Sequence, residues 1–186
     1  MVVQEKLYTV EEFFEIAALP ENEDRRLELD EGVIVDMGSS SRLNTVTAIR
    51  IAHFLASFVI PNNLGYITGA DAGYRLTSGR ARRPDVAFIS RVHGITLEGV
   101  AFPIAPDLAV EVVSPDEDVL KKANEYIRSG ARIVWAVYTE EKAVYVIQPA
   151  NGDELRVQRF DLNATLDGGD VLLGFKLAVR DIFPIS

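Results

Sequence analysis

Apolar residues recur with a helical period in three segments of the chain. They predict helices over residues 9–19, over residues 40–59 and over residues 114–130. Thr9 and Glu12 have the spacing of a capping box at the start of the first helix. Ser114, Pro115 and Glu117 form a similar start signal, with Ser114 as N-cap, and predict that the third helix begins immediately after an apolar strand.

The other apolar runs have the composition and length of β-strands. They predict two hairpins and further single strands, at residues 25–37, 132–148, 66–77, 84–90, 107–113 and 155–183. Strands grouped between two main helices predict an α/β (α+β) fold, with a mixed β-sheet flanked by helices and extra β-hairpins. The length of 186 residues fits a single domain over residues 1–186.

The amino-acid composition excludes several classes of site and partner. The chain has no cysteine, which excludes disulfides, cysteine-based zinc sites, iron–sulfur clusters and thiol nucleophiles. It also lacks an apolar run near the roughly 18 residues of a membrane span, so we expect a cytoplasmic protein without a membrane partner. The net charge of −9 opposes nonspecific attraction to a polyanion, and any nucleic-acid contact must rest on local charge.

Two acids occupy positions where an acid is costly. Glu111 lies inside the apolar run 108–113. Burying an unpaired carboxylate there would cost roughly several kcal/mol of hydration free energy. Asp85 follows Pro84 at the start of another apolar strand. If the two strands are neighbours, the two carboxylates converge, and a site of oxygen ligands favours Mg²⁺ or Mn²⁺. The simpler interpretation pairs Glu111 with an arginine such as Arg132 and makes Asp85 a cap of its strand.

A lysine on the third helix is placed to reach these acids. The apolar side of that helix centres near Ala123, and Lys121 falls nearly opposite, facing solvent. Lys122 falls roughly 100° from the centre of the apolar side, where its stem can cover the core and its amine can point to the sheet. The alternative is that Lys122 pairs with Asp118 on a solvated edge.

A second Pro-Asp pair, Pro106-Asp107, competes with Pro84-Asp85. Asp107 precedes Glu111 by four residues, which places it about 13 Å away along the same strand. That distance is too long for one ion, and Asp85 is the preferred partner.

These motifs together resemble a known group of enzymes. Arg83-Pro84-Asp85, then Glu111-Val112-Val113-Ser114-Pro115, then Lys122 four residues before Tyr126 are similar to the PD-(D/E)XK nuclease superfamily. Within it, the chain resembles the bacterial putative restriction endonuclease family, formerly a domain of unknown function. The resemblance covers most of the chain and implies a restriction endonuclease-like fold.

The resemblance also implies roles for individual residues. Asp85 and Glu111 match the two acids of the motif, and Glu28 matches an N-terminal acid that completes the metal shell in many relatives. The motif lysine ordinarily stands two residues after the second acid, where this chain has Val113. In this branch of the superfamily the lysine is carried by the following helix, at the position of Lys122.

The implied function is a Mg²⁺-dependent (or Mn²⁺-dependent) endodeoxyribonuclease that hydrolyses phosphodiester bonds in DNA. Asp85, Glu111 and Lys122 would be catalytic, Asp85, Glu111 and Glu28 would hold the metal, and Arg82 and Arg83 would contact DNA phosphates. By analogy, such folds often form homodimers. Two alternatives remain: a catalytically inactive nuclease fold that acts as a binding protein, favoured by the net acidity and by Val113, and a metal-dependent hydrolase of small phosphate compounds.

Overall fold

The computed structural model describes residues 6–115 and 117–184. Its helices are α1 Val10–Ala17, α2 Arg42–Val59, α3 Val119–Arg128 and α4 Val179–Ile182. Its strands are β1 Leu27–Asp30, β2 Val33–Asp36, β3 Gly65–Gly69, β4 Gly73–Thr77, β5 Arg80–Arg82, β6 Val86–Ser90, β7 Ala101–Phe102, β8 Leu108–Val112, β9 Ile133–Tyr138, β10 Ala143–Pro149, β11 Leu155–Phe160, β12 Thr165–Gly168 and β13 Leu172–Ala178. The mixed α and β architecture confirms the predicted fold class.

A six-stranded sheet forms the centre of the molecule, in the order β11-β10-β9-β8-β6-β3. All of its neighbours are antiparallel except β8 and β9, which run parallel and are joined through α3. The apolar composition of β8 agrees with its place inside the sheet, where all five of its residues are buried.

The two faces of this sheet are covered by different helices. Val86, Val110 and Val112 point to the face on which α2 packs through Ile51 and Leu55. Strand residues of the opposite parity, such as Ala109, Val134 and Ala136, point to the face that α3 covers with Val119, Ala123 and Tyr126. Glu111 belongs to this second set, which is why its side chain meets α3 and not α2.

A second sheet has the order β2-β1-β5-β4-β7 and carries the predicted hairpin of β1 and β2. The hairpin turns at Glu31 and Gly32, which both have positive φ. The Gly32 N–H donates to the carbonyl of Gly79, and the remaining small sheet pairs β12 with β13. This second sheet brings Glu28 and Arg82 against α3, so three separate parts of the chain enclose one buried region.

The predicted start of the third helix is wrong. The third helix begins at Val119 with Asp118 as N-cap, not after Ser114. The Ser114 N–H does bond to the Glu117 carboxylate at 3.2 Å, so the start signal is satisfied as a loop hydrogen bond without the helix.

The long helix α2 packs on the core with only part of its apolar surface. Leu43, Val46 and Ile49 are exposed, whereas Ile51, Leu55 and Val59 are fully buried. Apolar residues surround most of this helix, so helical spacing alone could not select the packed side. Within the described residues, no helix has the length and apolar character needed to cross a membrane.

Candidate active site

Asp85 and Glu111 lie on the two adjacent central strands. In the antiparallel pair of β6 and β8, Val86 is opposite Val110. One residue further along this register, Asp85 is opposite Glu111, and directly opposed residues project from the same face of a sheet. The carboxylate of Asp85 accepts the backbone N–H of Val112 at 2.7 Å, which fixes it against the strand that carries Glu111.

Glu111 is 1% exposed and receives two contacts from α3. The Tyr126 hydroxyl donates to its Oε1 at 2.8 Å, and the Lys122 amine lies 3.9 Å from its Oε2. Burial raises the pKa of Glu111 from 4.5 to about 8, an effect that Lys122 reduces and that the neighbouring carboxylates of Asp85 and Glu28 increase. Glu111 is therefore a buried acid whose nearest charged neighbours include two further carboxylates, those of Asp85 and Glu28.

Lys122 is buried, and its amine is surrounded by acids. Its Nζ lies 2.6 Å from Glu117 and 3.2 Å from Glu28, in addition to Glu111. Burial lowers the pKa of Lys122, but the surrounding carboxylates outweigh burial and raise it overall, so the amine is a fixed positive charge. Lys121 instead projects to solvent and pairs with Asp30. This placement agrees with the helical-wheel argument, while the catalytic role of Lys122 stays a prediction.

Asp85 is paired with an arginine that the sequence did not single out. The guanidinium of Arg26 contacts Asp85 Oδ1 at 2.9 Å and also donates to the carbonyl of Arg83 and to the Ser40 hydroxyl. Burial raises the pKa of Asp85, and Arg26 opposes that rise. The site thus holds an internal cation beside one of its two central acids.

Glu28 is completely buried and belongs to the same cluster. It accepts from Lys122 and from the backbone N–H of Arg83, and it contacts the guanidinium of Arg82 at 3.3 Å. Arg82 is 3% exposed and is bound more closely by Glu125, at 2.6 Å. The guanidinium of Arg82 is held by three carboxylates, those of Glu28, Asp30 and Glu125. Arg82 therefore braces Glu28 against α3 and is not placed to contact a DNA phosphate.

Other candidates lie apart from the cluster or are only partly exposed. Arg83 is partly buried, and burial lowers its pKa. Asp107 lies at the opposite end of β8, where it bonds to the Ser90 N–H and to His93. Arg132 pairs with Asp170, so it is not the partner of Glu111.

The chemistry of the cluster fits a hard divalent cation. Four carboxylates, those of Glu28, Asp85, Glu111 and Glu117, surround two cations, Arg26 and Lys122. The excess of negative charge and the all-oxygen donor set are what Mg²⁺ and Mn²⁺ require. In the described part of the chain, no three such side chains are arranged to hold one ion. Asp85 instead contacts Arg26, and Glu117 contacts Lys122.

Three contributors were missed by sequence reasoning. Arg26 stands two residues before Glu28, and the strand period of two would have placed both side chains on one face. Tyr126 was used as a motif position and as an apolar residue of the helix, and its hydroxyl was not considered, although buried tyrosines regularly need a partner for their hydroxyl. Glu117 was assigned to a helix start, and nothing in its local sequence indicates that it turns back to Lys122.

The fold is shared with a solved structure of a nuclease-like class. A solved structure titled as a putative nuclease belonging to DUF820, from Anabaena variabilis ATCC 29413, is similar to this chain with a TM-score of 0.80 and 22% sequence identity. The match covers 94% of this chain and 97% of the other. No curated protein matches.

The family is identified from the sequence. The profile of the family described as "Uma2: Putative restriction endonuclease" matches residues 10–180, nearly the whole chain, and the chain belongs to this family. The resemblance given by the Pro-Asp, Glu and Lys motifs is thereby confirmed.

Proposed function

We propose that the protein is a divalent-metal-dependent endonuclease that hydrolyses phosphodiester bonds in DNA. The observation that carries the proposal is the register of β6 and β8, which sets Asp85 across from the buried Glu111 beside the Lys122 amine. Family membership supports the same activity. A buried acid with a pKa raised to about 8 is typical of a functional site. Burying its charged form lowers the stability of the fold, so stability alone does not explain its presence.

Each residue of the cluster has a definite task in this proposal. Asp85 and Glu111 would hold Mg²⁺ or Mn²⁺, with Glu28 as a third acid on the same side of the sheet. When bound, the ion supplies Lewis acidity toward a phosphoryl oxygen and lowers the pKa of a water molecule. The Lys122 amine, which stays protonated, donates to a non-bridging oxygen as negative charge develops there. Tyr126 orients Glu111 through its hydroxyl.

The overall reaction requires no covalent enzyme intermediate. The oxygen of water bonds to phosphorus, one bridging P–O bond breaks, and the leaving alkoxide takes up a proton. Arg83, which is partly exposed beside the cluster, is the remaining candidate of the predicted pair for contact with a neighbouring phosphate.

The test is cleavage of plasmid, linear duplex and single-stranded DNA in Mg²⁺ or Mn²⁺, with EDTA as the negative control. The wild type should cut at least one of these substrates, and Asp85→Asn and Glu111→Gln should each abolish cutting. Cleavage that Glu111→Gln retains would place the activity elsewhere. Thermal unfolding of each variant shows whether a loss of activity reflects a loss of fold.

One observation favours a second candidate, a nuclease-like fold that binds a partner without cutting DNA. The ion pair between Arg26 and Asp85 neutralises an acid that the metal needs. The discriminating measurement is calorimetric titration of the metal-free protein with Mg²⁺ and Mn²⁺. Heat that is lost in Asp85→Asn supports the enzyme, and the absence of heat in the wild type supports the binding protein.

A further inference from the structure

Arg26 makes several contacts to the cluster but is not enclosed by it. One terminal nitrogen reaches Asp85 at 2.9 Å and the Arg83 carbonyl at 3.1 Å, and the other donates to the Ser40 hydroxyl at 3.0 Å. Its side chain remains 21% exposed, in contrast to Lys122 at 7%. Arg26 is therefore the cation of the cluster that reaches its solvent side.

The guanidinium of Arg26 is surrounded by the carboxylates that would also surround a bound metal ion. Burial lowers the pKa of Arg26, but the carboxylates of Asp85, Glu111 and Glu28 outweigh burial and raise it. Those are the three acids assigned to the ion. A guanidinium has one positive charge and cannot accept a water molecule's lone pair, so it neutralises these acids without the chemistry of a metal.

A cavity of about 220 Å³, with a mixed polar and apolar lining, lies beside Arg26. Its wall carries the hydroxyl side chains of Ser39, Ser40 and Ser114, which are donors suited to phosphate oxygens. Two acids also line it, but Asp36 is paired with Arg25 and Glu117 with Lys122. The cavity can therefore accept an anion once Arg26 is released from Asp85.

We propose that Arg26 is a resident counter-cation which a divalent ion displaces from Asp85, and that the displaced guanidinium then binds a DNA phosphate in the adjacent cavity. This inference rests on the proposed nuclease function and adds a coupling to it. Because one side chain serves both events, metal binding and phosphate binding become mutually favourable. In the metal-free protein, Arg26 stays paired with Asp85 and does not bind phosphate. DNA is therefore held firmly only when the metal is present.

The first test is calorimetric titration of Mg²⁺ into metal-free wild type, Arg26→Met and Arg25→Met. Arg25 is the matched control because it lies next in sequence, is half exposed and pairs with Asp36 outside the acid cluster. Arg26→Met should bind Mg²⁺ more tightly than wild type, by roughly 5- to 150-fold as is typical of linked sites. Arg25→Met should equal wild type, and Arg26→Lys should fall between wild type and Arg26→Met.

Each outcome of this titration has a distinct meaning. Equal or weaker Mg²⁺ affinity in Arg26→Met, with measurable binding in wild type, overturns the displacement and leaves the nuclease proposal intact. Absence of heat in the wild type and in all variants removes the metal site, and both proposals then fail. Binding by Arg26→Met alone, with none in wild type, would show that Arg26 blocks the site and is not displaced by the ion, and it would overturn the displacement.

The second test measures binding of a labelled DNA duplex by fluorescence anisotropy in Ca²⁺ and in EDTA. Wild type should bind more tightly in Ca²⁺ than in EDTA, and so should Arg128→Met, the control here, because Arg128 is exposed, pairs with Asp153 and does not line the cavity. Arg26→Met should lose this gain, and the slope of log affinity against log salt in Ca²⁺ should fall by about one. Equal slopes and equal gains in the two variants would overturn the phosphate contact.

Discussion

The hydroxyl of Tyr126 on α3 donates to the buried carboxylate of Glu111 on β8 at 2.8 Å. This contact joins the helix and the strand that together form the parallel crossover between β8 and β9. It also gives Glu111 a neutral donor that keeps its orientation whether or not a cation is present.

Replacing Tyr126 by phenylalanine removes this donor and keeps the packed ring. We expect the free energy of unfolding at pH 8.5 to fall by about 1–3 kcal/mol, because hydrogen bonds to charged groups contribute in that range. Urea denaturation with an unchanged m-value measures it. Tyr145→Phe is the control, since that hydroxyl donates to Glu141 at the surface and its loss should change stability by less than about 0.5 kcal/mol.

The protonation of Glu111 makes stability depend on pH in a predictable direction. Its pKa in the folded protein is about 8, above the ordinary 4.5, so the folded state binds the proton more tightly. The favourable contribution is complete below pH 4.5 and is lost as the pH rises through about 8. Denaturation of metal-free protein at several pH values should show wild type losing stability relative to Glu111→Gln over that interval. Parallel pH profiles would contradict the raised pKa.

Lys122 and Lys121 are adjacent in sequence but differ in environment. Lys122→Ala should reduce the rate of metal-dependent DNA cleavage by about 100-fold or more, the range for loss of one donor to a developing oxyanion. Lys121→Ala should leave the rate within experimental error, because this amine pairs with Asp30 in solvent. Single-turnover cleavage assays compare the two, and matching rates would refute the assignment of Lys122.

Arg82 is predicted to act through stability. Arg82→Met removes a cation that Glu28 and Glu125 share, while Glu28 keeps Lys122 and Glu125 keeps Arg80. Loss of one partner of a buried pair lowers the free energy of unfolding by about 3–5 kcal/mol, and the retained cations place the expected loss at the low end of that range. Arg75→Met is the control, because its pair with Glu11 is solvent-exposed and contributes at most about 1 kcal/mol. Chemical denaturation measures both. A stable Arg82→Met protein with weakened DNA binding would restore the phosphate contact predicted from the sequence.

The sequence was most informative where an acid interrupts an apolar strand. Glu111 and Asp85 could be selected because a buried carboxylate is unfavourable without a partner, and the strand pairing places them across from each other. The helical wheel separated Lys122 from Lys121 for the same reason, since burial follows the apolar side. The capping box of Thr9 and Glu12 was also found as predicted.

The partners of these residues could not be predicted, because they come from distant segments. Arg26 reaches Asp85 across 59 positions of the chain, and Glu125 holds Arg82 across 43. No local period encodes such pairs, so Arg82 was expected to contact DNA phosphates, whereas its side chain is buried. The metal, the DNA substrate and the homodimer stay predictions.

The candidate site draws on β1, the start of β6, β8 and α3, with Glu28 and Lys122 separated by 94 positions. During synthesis the N-terminal hairpin leaves the ribosome long before α3 exists. Glu28 therefore has no contact with Lys122 until α3 has been translated. The acids of the proposed metal site therefore meet only when the domain has folded, and the nascent chain has no assembled site.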